Sequence, residues 1–69
     1  MKSAELMRKL SKAAKARGIH FTAVPGNGSH FKITLGDRCT IIPHHNKELG
    51  HGLLRAILRD LGLREDDLL

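Results

Sequence analysis

His30 and Lys32, two residues apart in the run Ser29-His30-Phe31-Lys32-Ile33-Thr34-Leu35, are the pair best suited to chemistry. Imidazole is the side chain whose unperturbed pKa lies nearest 7, so it takes and gives a proton under ordinary conditions. On an extended strand, residues two apart share one face and sit about 7 Å from each other, which places a fixed cation beside that ring. A cation so placed suits a phosphate and opposes the charge that develops on it during attack. The plainer reading of the same pattern is two polar residues on a solvated strand face.

The remaining candidates carry weaker signals. His44-His45 and His51 lie in a polar, glycine-containing stretch without a helical histidine pair, and no Cys or carboxylate stands at a familiar ligand spacing, so no metal is expected. A lone Cys39 excludes an intrachain disulfide framework and a cysteine-pair zinc site, and it is expected to be a semi-buried filler. Gly50-His51-Gly52 opens a helix, where free backbone N–H groups attract an anion, with Lys47 close by. An ordinary glycine-rich helix start accounts for that stretch equally well. His20 alternates with Ile19 and Phe21 and is expected on the same face as His30.

The elements that must position these residues follow from periodicity. Leu6, Leu10, Ala13 and Ala14 recur at helical spacing, with Ser3 as a capping residue and Gly18 as a stop. Arg8, Lys12 and Lys15 fall on the opposite side of that helix, either as a solvated row or as a grip on phosphates. Residues 19–24 are strand-like, Pro25-Gly26-Asn27-Gly28 makes a turn, and residues 29–35 alternate with Phe31, Ile33 and Leu35 inward. Gly36-Asp37 turns the chain into a third strand, Arg38 to Ile42, ended by Pro43. After a loop from His44 to Gly52, Leu53, Leu54, Ile57, Leu58 and Leu61 return to helical period up to Gly62. Residues 63–69 form one more turn or fray. The predicted order is α-β-β-β-α, a two-layer α+β fold with both helices on one face of a three-stranded antiparallel sheet.

Size and charge bound the function. Sixty-nine residues make one small domain, which excludes large dinucleotide folds and multi-domain enzymes. No apolar run approaches the ~20 residues that cross a bilayer, and the start Met1-Lys2-Ser3-Ala4-Glu5-Leu6 lacks a signal-peptide stretch, so a cytoplasmic protein without a membrane partner is expected. Twelve Lys and Arg against seven Asp and Glu give a formal charge of +5, concentrated in residues 1–17. A polyanion, most often nucleic acid, is the partner such a chain favours. With two Phe and no Trp or Tyr, base stacking contributes little, so low sequence selectivity is expected.

Five ordered blocks make a pattern that single motifs do not. Gly28-Ser29-His30 precedes an alternating strand. Ile42-Pro43-His44, Lys47-Glu48-Leu49, the run Gly52-Leu53-Leu54-Arg55-Ala56-Ile57-Leu58-Arg59 and Leu61-Gly62-Leu63 then follow in order. Together with the opening six residues they resemble the HicA toxins of bacterial toxin–antitoxin pairs, over nearly the whole chain. The resemblance implies a double-stranded-RNA-binding-domain-like fold and an endoribonuclease (mRNA interferase) that cleaves mRNA without the ribosome. It implies a HicB-type antitoxin that covers the active face, and no cofactor and no DNA partner for the chain by itself. It places the essential histidine at His30. The residues themselves, apart from the resemblance, suit Gly28, Ser29 and Lys32 to positioning the substrate and Arg8, Lys12, Lys15, Lys47 and His51 to holding RNA phosphates. Two features depart from the family pattern: the Gly18–Gly28 segment is longer than usual and lacks the aromatic residue often found there, and Phe31 stands where many members carry a second histidine. A non-catalytic RNA-binding module of the same fold is the alternative.

Overall fold

The computed structural model describes residues 1–26, 28, 30–44 and 47–68. Helix α1 runs Ser3–Arg17, followed by strands β1 (Phe21–Pro25), β2 (His30–Leu35) and β3 (Arg38–Pro43), helix α2 (His51–Asp60) and a 3-10 turn at Glu65–Leu68. The strands form one antiparallel sheet in sequence order, β1-β2-β3. Both helices cover its inner face, as the apolar spacing predicts, and the result is an α+β fold of two layers.

Register decides which residues meet. Phe21 pairs with Leu35 and Ala23 with Ile33 across β1 and β2, while Ile33 pairs with Thr40 and Phe31 with Ile42 across β2 and β3. These rows face the helices. Ile33 and Ile42 are fully buried against Leu6 and Leu10 of α1 and Ile57 and Leu58 of α2, with Leu61, Leu63 and Leu68 closing the bottom of the core. The buried Thr40 hydroxyl donates to Asp60 Oδ2 at 3.0 Å, which ties the end of α2 to β3.

Helix ends explain most differences from the sequence reading. Ser3 does not cap α1. Lys2 occupies the N-cap without a side-chain bond, and the buried Ser3 hydroxyl donates instead to the Pro43 carbonyl oxygen. That tertiary bond satisfies the end of β3, whereas a cap would have served the helix alone. Replacing Ser3 with alanine strips a buried carbonyl of this donor, so about 1 kcal/mol of stability and a Tm fall of about 4–8 °C are expected in thermal unfolding. A Tm unchanged within error would contradict the bond's contribution.

Strand β1 starts two residues later than predicted because Ile19 is used by α1. Gly18, at φ 67, lets its own N–H reach Lys15 O at 3.2 Å and the Ile19 N–H reach Ala14 O at 2.9 Å. This paired closure requires a left-handed residue, which glycine adopts without a Cβ penalty. The end of α2 repeats it, with Gly62 N–H on Arg59 O at 3.1 Å and Leu63 N–H on Leu58 O at 2.8 Å. Helix α2 begins two residues earlier than its apolar spacing indicates, with Gly50 at the N-cap.

Candidate active site

The outer face of the sheet follows from the same register. Val24 of β1, Lys32 of β2 and Ile41 of β3 form one row, and Thr22, Thr34 and Cys39 form the next. His30 pairs with Pro43 at the end of the sheet. None of these outward strand residues is acidic. Cys39 is therefore exposed, not the semi-buried filler expected from its type: Thr40 and Ile42 take the inward positions of β3 and alternation turns the thiol out.

His30 is exposed and held by backbone. Its carbonyl accepts the Gly26 N–H at 2.8 Å, which closes the β1–β2 turn in which Gly28 adopts φ 64. Lys32 shares the face, exposed, one residue pair along the strand. The positive φ at Gly28 is a conformation a side chain strains to adopt, so a glycine suits this position two residues before His30. Ser29 lies outside the described residues.

Three connections bring further elements to this end of the sheet. The Ser3 bond to Pro43 sets the start of α1 beside the strand that pairs with His30. The Leu49 N–H donates to Met1 O at 2.9 Å, and the Met1 amine pairs with Glu48, so the loop before α2 is tied to the chain start. Both helices thus begin at the end of the sheet where His30 pairs with Pro43, α1 with Glu5 in its first turn and α2 with no acidic residue there. Lys47 is exposed in the loop at this end.

Other sequence-derived candidates are placed elsewhere. Arg8, Lys12 and Lys15 are exposed, but on the solvent side of α1, facing away from the sheet and its outer face. His51 is exposed at the start of α2, with its Nε2 2.8 Å from Glu65 Oε1. His20 precedes β1 and its carbonyl accepts the Gly36 N–H at 2.8 Å, which levels it with the far end of β2. Six residues of strand at ~3.3 Å each leave it about 20 Å from His30, too far to share a substrate phosphate. His44 turns to the inner side, its ring edge-on to Phe31 with centroids 4.8 Å apart. His45 lies outside the described residues. Among the described residues no three His, Cys, Asp or Glu side chains gather into a metal-ligating group, and no helix is long and apolar enough to cross a membrane.

Sequence reasoning passed over Arg55 and Arg59. Their i,i+4 spacing on the polar side of α2 was visible, but Arg64 joins them only because the chain turns back after Gly62.

The fold is a small α+β chain with two helices behind a bare sheet face that carries an imidazole and an ammonium. The family model described as "HicA toxin of bacterial toxin-antitoxin" matches residues 7–63. A Pseudomonas fluorescens (strain Pf0-1) protein named "Probable mRNA interferase HicA" is 42% identical over 66 residues, covering 94% of this chain and 100% of that one. No solved structure matches. The chain belongs to the HicA toxin family.

Proposed function

We propose that this chain is the toxin of a type II toxin–antitoxin pair and a metal-independent endoribonuclease that cuts mRNA, with His30 as its proton-transfer group. The observation that carries the reading is the pairing of His30 with Lys32 on a sheet face that no helix covers and no strand carboxylate shares. The similarity to a protein named as an mRNA interferase supplies the substrate class.

The chemistry uses what RNA itself provides. His30 takes the proton of a 2′-hydroxyl, whose oxygen attacks the adjacent phosphorus. The P–O5′ bond breaks, leaving a 2′,3′-cyclic phosphate; the leaving oxygen takes a proton from water, and the hydroxide so formed recovers the proton held by His30. Positioned proton transfer of this kind accelerates a reaction by typically 10²–10⁴-fold. Lys32 stands against the non-bridging oxygens as charge builds there. Gly28 sets the turn that leads into His30, and Lys47 holds a neighbouring phosphate beside the start of α2. Arg8, Lys12 and Lys15 remain candidates for RNA contact, on a second surface reached only by a strand that leaves the sheet face. His20 has no part in this step.

The natural inhibitor is a HicB-type antitoxin seated on the outer face. Val24 and Ile41 flank Lys32 and are 53% and 52% exposed, which gives a protein partner dry alkyl surface on both sides of the cation.

Purified protein incubated with single-stranded RNA in EDTA is expected to yield cleaved product. Its expression is expected to arrest growth, relieved by the neighbouring reading frame. Cleavage abolished by EDTA and restored by a divalent ion would overturn the metal-independent mechanism. Salt-sensitive binding with no product from any RNA would leave the chain an RNA-binding module.

A further inference from the structure

The groove on the helix side of the molecule points to a second surface. It runs between α2 and the chain that returns after Gly62, with a volume of about 670 Å³. Gly52, Ala56, Leu58 and Leu63 give it an uncharged lining, beside which stand Arg55, Arg59 and Arg64. A Cβ built on Gly52 would meet nothing within 4 Å, so the groove is open where α2 starts.

Charge is what sets this groove apart. Three arginines line one channel, and none of them pairs with a carboxylate among the described residues. Glu65 stands at the rim, but its carboxylate is turned to His51 at 2.8 Å. Arg55 and Arg59, one helical turn apart, put their Cβ atoms about 5–6 Å from each other on the same side. Guanidinium forks grip phosphate oxygens two at a time, so a groove that brings three unpaired arginines together suits a chain of phosphates.

We infer that this groove binds the backbone phosphates of the RNA at a distance from the cut, so that a strand leaving His30 passes round the end of the molecule, by Lys47 and the start of α2, into the channel of Arg55, Arg59 and Arg64. The inference rests on the nuclease reading above and deepens it. The path is short, because the molecule measures 29 × 23 × 17 Å and α2 starts at the end of the sheet where His30 sits. The contact is to phosphates alone, so it adds affinity without adding sequence preference.

The test separates RNA that reaches only the sheet face from RNA that also reaches the groove. Binding of a short and a long single-stranded RNA oligonucleotide to the full chain is measured over a salt series, in a His30→Ala background so that the RNA stays intact. Wild-type arginines are expected to favour the long RNA. Arg55→Gln/Arg59→Gln is expected to reduce that advantage about tenfold and to make the salt dependence of the long RNA shallower by about 1.4, at ~0.7 per lost single-strand phosphate contact. Arg55→Lys/Arg59→Lys keeps the charges and should restore the salt dependence. Both positions are exposed, and a thermal melt confirms that each variant is folded.

Equal binding of the two RNAs by the parent protein would overturn the groove. So would an undiminished advantage in folded Arg55→Gln/Arg59→Gln, or a loss of antitoxin affinity in its place. Failure of the nuclease reading looks different: no RNA is cut by the unmodified chain, whatever the groove does to long RNA.

Discussion

Replacing His30 with alanine is expected to lower the rate of RNA cleavage by about 10²–10⁴-fold, the usual contribution of a positioned proton-transfer group. The same substitution should leave stability within about 0.5 kcal/mol of wild type, because the ring is exposed and its anchor is backbone. The Gly26 N–H bond to the residue-30 carbonyl and the pairing with Pro43 do not depend on the side chain. RNA affinity should also persist, since Lys32 and the other cations are untouched. His30→Gln makes the sharper variant: it keeps a polar side chain of similar reach and should be as inactive as alanine if proton transfer is the role. The measurement is single-turnover cleavage beside a thermal melt. A glutamine variant with near wild-type rate would remove the acid–base role and leave His30 as a hydrogen-bonding residue.

The second large effect lies in the core. Leu10 is fully buried where α1 meets the sheet and α2. Leu10→Ala is expected to cost about 2–5 kcal/mol, from lost burial and the cavity left behind. A chain of 69 residues has only about 3–10 kcal/mol to lose, at 0.05–0.15 kcal/mol per residue. A large fraction of the variant should therefore be unfolded at growth temperature, and toxicity should fall without any change to His30 or Lys32. Urea denaturation distinguishes the two kinds of loss: Leu10→Ala moves the midpoint, and His30→Ala does not. A shift corresponding to under 1 kcal/mol for Leu10→Ala would mean that the helix layer relaxes to fill the space.

The middle strand was the most legible part of the chain. Phe31, Ile33 and Leu35 alternate with His30, Lys32 and Thr34 without interruption, and two-fold alternation translates directly into inner and outer faces. The helix stripes were legible for the same reason at a longer period. What pattern alone could not show was competition for backbone groups. Ile19 reads as the first residue of a strand, yet its N–H completes the end of α1. Ser3 reads as a helix cap, yet its hydroxyl goes forty residues along the chain to Pro43. His20 was expected on the face of His30, but the antiparallel register of β1 carries it to the opposite end. Composition grouped the cations of residues 1–17 with the candidate site, while the fold turns Arg8, Lys12 and Lys15 to the other side of the helix layer. The groove of Arg55, Arg59 and Arg64 needed the chain reversal at Gly62, which no periodicity encodes.

The way the core is divided along the chain bears on how the molecule is made. Among the described residues, six of the twelve buried apolar ones, Leu49, Ile57, Leu58, Leu61, Leu63 and Leu68, follow Glu48. While the ribosome is still adding them, at roughly 5–20 residues per second, the emerged strands have only one of their two covering helices. Hairpins between sequence neighbours form early and close quickly, but a sheet that lacks half its apolar cover gains too little from burial to persist. The sheet that carries His30 therefore gains its full apolar cover only when the last residues of the core have been made, and a chain ending within α2 should fail to fold.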